Sequence, residues 1–516
     1  MAATIMQYLI HINIYKHIAL ALLSVFGSIV ILTLTMQHGA GMTPDSVVYI
    51  SVARNLADNN NFLTYNGSDL ILQPPLYPVI LASIKKLTSI DPQISAGYLN
   101  AVLFGLIIYL SGLFLLKYLN SFTLILLGTI SVLISYALVQ TSLMTLSEPL
   151  FILLILFFLY YLDKFRSKQD YMSLFLLSIW ASLACLTRYT GVILILTGMI
   201  FILLQKKSNL KEKFLHSIIF ILITLLPISS WIIRNYLISG TPLGQRAESS
   251  YSLFQNLGFF YDTLLPWYLP ANSIFTYLIL FTFLSAGWIL FKTNYDKPFY
   301  IKIIDKIFPS MLFVLFYSCI IIISSTTTAY DRISDRLLSP IYIPAVFILF
   351  FTLDKILTWL SMYFNKYAVF IFLTIGIISL LRFPLHNTLY ILEEFRMQSG
   401  VGYNSSLWNN SKTIEFLLRH KMLGNRYTLY SNEPEAVYAL TNLKIEYSPA
   451  KTFYNSPQLL NADQNKINIL MNTKYGYLIW FNKADRNFLF TIEELQKNFD
   501  MTEVESFDDG EIYIFN

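Results

Sequence analysis

The sequence predicts a mainly α fold: a polytopic helical membrane protein of about eleven spanning helices. Interfacial helices are expected in its first outer loop and a small α/β domain at its C-terminus. Three observations predict this. Of 516 residues, 55% are apolar and only 13% charged, about half the charged share of an ordinary soluble domain. Mean hydropathy is +0.55. The charge is also unevenly placed, with apolar runs of spanning length filling 17–383 and charges returning over 384–516. Such a composition excludes a soluble enzyme, a disordered chain and a nucleic-acid-binding domain. The net charge of +5 is small, so neither nucleic acid nor another polyanion is expected as a partner.

A helix needs roughly 20 mostly apolar residues to cross a bilayer. The runs that meet or approach this lie at 17–36, 95–116, 122–139, 147–162, 171–187, 189–204, 214–233, 272–290, 307–325, 338–353 and 367–383. The fifth and sixth form one apolar stretch broken only by Thr187-Arg188-Tyr189-Thr190-Gly191, which reads as a tight hairpin turn at one membrane face. With the N-terminus in the cytoplasm, the inner segments carry fifteen Lys and Arg in 67 residues, and the outer loops eight in about twice that length. The positive-inside bias therefore predicts a multi-pass protein of the cell membrane, N-terminus cytoplasmic, with everything after Phe383 on the outer side. The expected division is a membrane domain over 1–383 and an extracytoplasmic α/β domain over 384–516.

The first outer loop is long and patterned. Thr43-Pro44-Asp45 is a helix start, with Thr at the N-cap, Pro at the first helical position and Asp in the first turn. Val48, Val52 and Leu56 then recur every four residues until Asn59-Asn60-Asn61 ends the helix. After Gln73-Pro74-Pro75, residues 76–87 resume an amphipathic pattern. Both helices are expected to lie in the interface, as is the aromatic-rich 234–271 loop. In the tail, helices are expected over 411–422, 433–440, 461–471 and 491–498, and strands over 427–431, 444–447 and 475–481. A closing hairpin is expected around Asp508-Asp509-Gly510. Gly400-Val401-Gly402-Tyr403-Asn404 is expected to be a surface loop leading into a helix.

No phosphate loop, Gly-x-Ser-x-Gly, His-Glu-x-x-His or Cys-x-x-Cys occurs, which argues against an ATP-driven pump. Ionisable residues are nearly missing from the spans, which weakens a transporter or flippase, the alternative reading. They gather instead at outer span ends, among them Asp45, Arg54, Glu148, Arg188, Arg234, Arg246, Asp335 and Arg336. An arginine at a helix end can simply snorkel to head groups. Carboxylates and arginines converging on one face suit sugar transfer from a polyprenyl phosphate. A carboxylate takes the acceptor hydroxyl's proton, and arginines hold the phosphate as its charge grows.

The chain also resembles the GT-C superfamily of polyprenyl-phosphate-sugar glycosyltransferases, nearest the protein mannosyltransferases and the aminoarabinose lipid A transferases. The matching pieces are Thr43-Pro44-Asp45-Ser46-Val47-Val48-Tyr49 with Ala53-Arg54-Asn55-Leu56, Pro74-Pro75-Leu76-Tyr77-Pro78, Ser147-Glu148-Pro149, Thr187–Gly191, Trp231-Ile232-Ile233-Arg234-Asn235 and Asp335-Arg336-Leu337-Leu338-Ser339-Pro340. The resemblance covers 17–383. It implies an inverting hexosyl- or pentosyltransferase that uses a polyprenyl-phosphate-linked sugar and a glycan, lipid or protein acceptor. It implies Asp45 as general base, and Arg188, Arg234 and Arg336 as phosphate ligands. Glu148 and Asp335 are implied as metal or acceptor contacts, with Tyr49, Arg54 and Tyr77 as further candidates. Several members have Asp-Glu in the first loop where this chain has Asp45-Ser46. One carboxylate fewer leaves a divalent metal open as a cofactor.

Overall fold

The computed structural model describes residues 2–205, 208–269, 297–420, 427–460, 476–484 and 486–515. The mainly helical fold class is borne out. Ten of the expected spans are helices or parts of helices; the eighth, 272–290, lies outside the described residues. In order these are α1 (Ala2–His38), α4 (Pro92–Tyr118), the pair α5 (Phe122–Leu133) and α6 (Tyr136–Leu143), α7 (Glu148–Lys168), α8 (Tyr171–Thr187), α9 (Val192–Leu203), α10 (Leu210–Ser239), α12 (Lys297–Thr327), α13 (Asp335–Leu360) and α14 (Lys366–Met397). Six of them are long and apolar enough to cross a membrane, and a seventh span results if the α5–α6 pair is counted as one. The expected fifth and sixth spans are helices of 17 and 12 residues, shorter than a perpendicular crossing requires. The last long helix runs unbroken through 383 to Met397.

Lipid supplies no hydrophobic drive between helices, so close packing and hydrogen bonds must hold the bundle. Small residues on α4 let α1 approach. A Cβ on Gly105 would meet Ser28 Oγ at 2.0 Å, and one on Gly97 would meet Thr35 at 2.9 Å. Ser24 Oγ donates to the Gly105 carbonyl at 2.7 Å across the same seam. The α5–α6 pair bends by 43°, and the Ile134 carbonyl at the break accepts from Thr388 Oγ1 of α14 at 2.8 Å. At the opposite end of α13, buried Asp354 accepts from the backbone N–H groups of Asn120 and Ser121 at 3.2 Å, tying α13 to the start of α5.

Between α1 and α2 (Pro44–Asn59), the short segment 40–43 is pinned on both sides. Gly41 N–H donates to the Leu143 carbonyl at 2.8 Å, and Met42 N–H to the Val401 carbonyl at 3.1 Å. Gly402 adopts φ +67°, and a Cβ there would meet the Met42 carbonyl oxygen at 2.0 Å, so this contact requires glycine. Tyr403 and Asn404 are buried, and Asn404 Nδ2 donates to the His38 carbonyl. The segment 400–404 is the expected loop leading into a helix, Ser406–Asn409, but it is not a surface loop: Gly400, Tyr403 and Asn404 are buried, and their burial satisfies the backbone at the end of α1. The expected start of α2 is correct, with Thr43 forming a capping box with Ser46. α3 (Leu76–Thr88) packs on α2 and α4. In the aromatic-rich loop, α11 (Leu253–Leu264) exposes Leu253, Phe254, Leu257 and Tyr261 along one stripe, as an interfacial helix would.

The tail forms one five-stranded sheet in the order β2-β1-β3-β5-β4. Its strands are β1 (Thr428–Ser431), β2 (Glu446–Tyr447), β3 (Gly476–Phe481), β4 (Met501–Phe507) and β5 (Gly510–Phe515). β1 pairs in parallel with β2 and β3, while β5 pairs antiparallel with β3 and β4. The closing hairpin lies where Asp508-Asp509-Gly510 set it. Short helices α15 (Ser406–Asn409), α16 (Lys412–Arg419), α17 (Pro434–Thr441) and α18 (Ile492–Gln496) accompany the strands. The helix expected over 461–471 lies outside the described residues.

A buried polar knot docks this sheet on the first loop. Arg486 donates to both oxygens of Glu433 at 2.8 and 2.6 Å, and lies 3.6 Å from Glu435. Tyr65, from the α2–α3 loop, donates to Glu435 at 3.0 Å, and Tyr403 donates to Glu433 at 2.8 Å. Tyr447 donates to Glu435 as well. Two carboxylates share one guanidinium. Burial raises the Glu435 carboxyl above its ordinary value and Glu433 adds to the rise, while Arg486 and Tyr447 oppose it incompletely. Because the folded value is raised, this contribution to stability is full below the ordinary carboxylate range and is lost as pH rises through the folded value. Glu435→Gln is expected to keep the tyrosine contacts and remove that loss. The thermal midpoint of the variant should exceed that of the wild type by roughly 2–4 °C at pH 8 and match it near pH 4.

Candidate active site

Four helix ends bring a chain of alternating charges together at the end of the bundle that carries the sheet. Asp45 stands in the first turn of α2, Glu148 opens α7, Arg188 follows α8, and Arg336 lies in the first turn of α13. Arg336 bridges both carboxylates: its Nε donates to Glu148 Oε1 at 2.7 Å and its Nη2 donates to Asp45 Oδ2. Arg188 Nη1 meets the same Glu148 oxygen at 2.7 Å and donates to Ser147 Oγ at 3.3 Å. Gln73 Nε2 donates to the other Asp45 oxygen at 3.1 Å.

Local sequence explains how Arg336 is held. Pro340 lacks the N–H that would bond the Arg336 carbonyl, and Ser339 Oγ donates to that carbonyl instead, at 2.9 Å. Glu148 is wholly buried, whereas the Asp45 side chain keeps 34% of its exposure. Burial alone would raise the Asp45 carboxyl. The facing Arg336, with Gln73 and Arg188, outweighs burial and holds it below its ordinary value.

Asp45, Arg188 and Arg336 open on a cavity of about 410 Å³, whose wall also includes Tyr49, Gln73 and Arg246. Among the described residues Arg246 has no carboxylate partner; it lies over the Tyr330 ring at 5.5 Å. The C-terminal segment reaches the cavity with Phe453 and Tyr454. Tyr454 donates to Asp331 at 2.8 Å, and the Asn455 carbonyl accepts from Ser250 Oγ at 2.9 Å.

Of the other candidates, Arg234, Arg54, Asp335 and Tyr77 separate from the cluster, while Tyr49 stays on its cavity wall. Arg234 donates to Asp69 at 2.8 Å and to the Leu70 carbonyl at 2.6 Å, and its guanidinium lies 4.7 Å from the Trp231 ring centre. Arg54 makes a two-pronged pair with Asp91, both bonds at 2.8 Å. Asp335 accepts from Trp267 Nε1 at 2.7 Å and lines a second cavity. Tyr49 shares a hydrogen bond with Ser147 at 3.2 Å, and its ring lies edge-on to Tyr77 at 5.2 Å. Tyr77 is fully buried and donates to Asn100 at 3.4 Å.

The sequence reading gave no site role to Gln73, Ser147, Phe453 or Tyr454. Gln73 and Ser147 stood in the Gln73-Pro74-Pro75 and Ser147-Glu148-Pro149 runs; no local pattern marks the other two.

These side chains do not fit a resident divalent cation. Asp45 and Glu148 both face guanidiniums, and Glu148 Oε2 is the one carboxylate oxygen of the pair without a hydrogen-bond partner among the described residues. A hard divalent cation takes about six oxygens. Among the described residues no group of three or more His, Cys, Asp or Glu could hold a metal.

A family model described as dolichyl-phosphate-mannose-protein mannosyltransferase matches residues 72–231. That stretch contains Gln73, Glu148 and Arg188 and excludes Asp45 and Arg336. ArnT from Cupriavidus metallidurans in the apo state superposes with TM-score 0.59 at 12% identity, covering 96% of this chain and 97% of that one. The chain has the fold of ArnT. The same protein bound to undecaprenyl phosphate gives TM-score 0.58 at 12% identity, with the same coverage. No curated protein matches the chain in sequence. The resemblance to GT-C glycosyltransferases is borne out, and at this identity the ArnT likeness is one of fold.

Breaking a buried ion pair from one side strands the other charge and costs about 3–5 kcal/mol. Glu148→Ala leaves two guanidiniums without their shared buried partner, so it should lower the thermal midpoint of the detergent-solubilised protein markedly. Asp45→Asn leaves Arg336 paired with Glu148 and should shift the midpoint by less than a third as much.

Proposed function

We propose that this protein is a membrane glycosyltransferase that moves a sugar from a polyprenyl phosphate to an acceptor hydroxyl on the outer face, with inversion. The observation that carries the reading is one cavity where a partly exposed carboxylate and two guanidiniums meet. That ArnT, a protein of this fold, binds undecaprenyl phosphate supports the donor class.

Asp45 accepts the proton of the acceptor hydroxyl, and the oxygen attacks the sugar's anomeric carbon from the face opposite the phosphate. The bond between that carbon and the phosphate oxygen breaks with its electron pair on oxygen. Polyprenyl phosphate leaves, its new charge held by Arg336 and Arg188. Arg246, without a carboxylate partner among the described residues, fits a third phosphate contact better than Arg234, which Asp69 engages. Arg336 has two competing partners. A donor phosphate draws its guanidinium from Asp45, and the lowered carboxyl then rises and becomes a stronger base. Glu148 keeps Arg336 and Arg188 in place, and no step passes through a metal.

The decisive assay reconstitutes the protein with polyprenyl-phosphate sugars and follows release of free polyprenyl phosphate. Asp45→Asn should lose ~10²-fold or more in kcat; equal turnover by wild type and variant would remove Asp45 from the mechanism. Arg246→Gln should raise KM for the donor by ~10-fold, while Arg234→Gln should leave KM within about 2-fold. The acidic limb of kcat should lie at higher pH than that of kcat/KM, because Asp45 faces Arg336 in the free enzyme and has lost it in the donor complex.

A further inference from the structure

A second cavity of about 310 Å³ opens on the other side of α13 from the charge cluster. Its wall combines four aromatic side chains, Tyr136, Trp267, Tyr342 and Tyr390, with the Asp335 carboxylate and the Asn387 amide. Among the described residues no Lys, Arg or His lines it. Asp335 accepts a side-chain hydrogen bond from Trp267 Nε1, and has no cationic partner among the described residues. Its neighbour Arg336 is turned to Asp45 and Glu148, and the nearby Arg332 faces Asp262 at 3.4 Å. Trp267 and Tyr342 meet edge to face at 5.0 Å, with Tyr268 stacked on Tyr342 at 6.0 Å, so the aromatic wall is built and packed rather than open.

A carboxylate lacking a cation among aromatic faces is matched by one ligand chemistry. Aromatic rings carry negative potential on their faces and draw a cation to within about 6 Å. An ammonium group there gains the rings and the carboxylate together. A phosphate or a carboxylate would meet Asp335 unscreened.

We propose that this cavity binds an ammonium group, most directly the ethanolamine head of a phospholipid. Its rim explains the lipid source. Pro384, Asn387 and Tyr390 lie on α14, which shows lipid-sized apolar side chains at Leu385 and Leu389 along the same stretch. Tyr390, 64% exposed, lies in the last two turns of α14, a position that suits an aromatic side chain at head-group level. A head group held here lies on the opposite side of α13 from the reacting carboxylate, separate from the donor cavity.

The test uses the full chain in neutral detergent, with bound ligand counted by native mass spectrometry. The probes are phosphatidylethanolamine, phosphatidylglycerol of the same chain length, and free ethanolamine. Phosphatidylethanolamine should be retained at least ~10-fold more tightly than phosphatidylglycerol, and Asp335→Asn should abolish the preference. Tyr390→Ala, at an exposed rim position, should reduce it by ~3-fold or more. Saturable binding of free ethanolamine without a lipid preference would keep the ammonium site and assign it to a soluble amine. Equal retention of the two lipids with no ethanolamine binding, or a preference unchanged in both variants, would overturn the proposal.

Discussion

A fully buried carboxylate at the mouth of a helical bundle is the constraint on which this architecture rests. Glu148 has no access to water, so its charge must be met by protein groups or it would not remain charged. Two guanidiniums meet it, one from the end of α8 and one from the start of α13. Holding both in place demands that four helix ends converge. α2, α7 and α13 all begin there, at Pro44, Glu148 and Asp335. Their N-termini add positive potential at the point where an anionic group would have to be held. The cavity, its charge and its shape are consequences of satisfying one buried side chain.

Much of this was legible in the sequence because it is local. Thr43-Pro44-Asp45 carries its own capping chemistry, and Thr187–Gly191 its own turn. The apolar runs mark helices regardless of what they touch. The closing hairpin around Asp509-Gly510 followed from turn residues alone.

What stayed hidden depends on partners far along the chain. Arg234 and Arg336 look alike as cations at the ends of apolar runs, yet Arg234 is engaged by Asp69, 165 residues away. Asp335 and Arg336 are adjacent, but neighbouring helical side chains diverge by about 100°, so they face different cavities. Fifth and sixth spans were counted from hydropathy, whereas their helices are short. The 400–404 segment looked like an exposed loop because glycines and asparagine favour turns; here glycine is required by the close approach of Met42.

The pinning of 40–43 between 143–145 and 401–403 has a temporal side. Asn404 reaches back across 366 residues to the His38 carbonyl. At ribosomal rates of about 5–20 residues per second, that partner emerges roughly 20–70 s after α1. Throughout this interval the segment leading into Asp45 is held on one side at most. The segment that leads into Asp45 therefore gains its second support only once residue 404 has been synthesised.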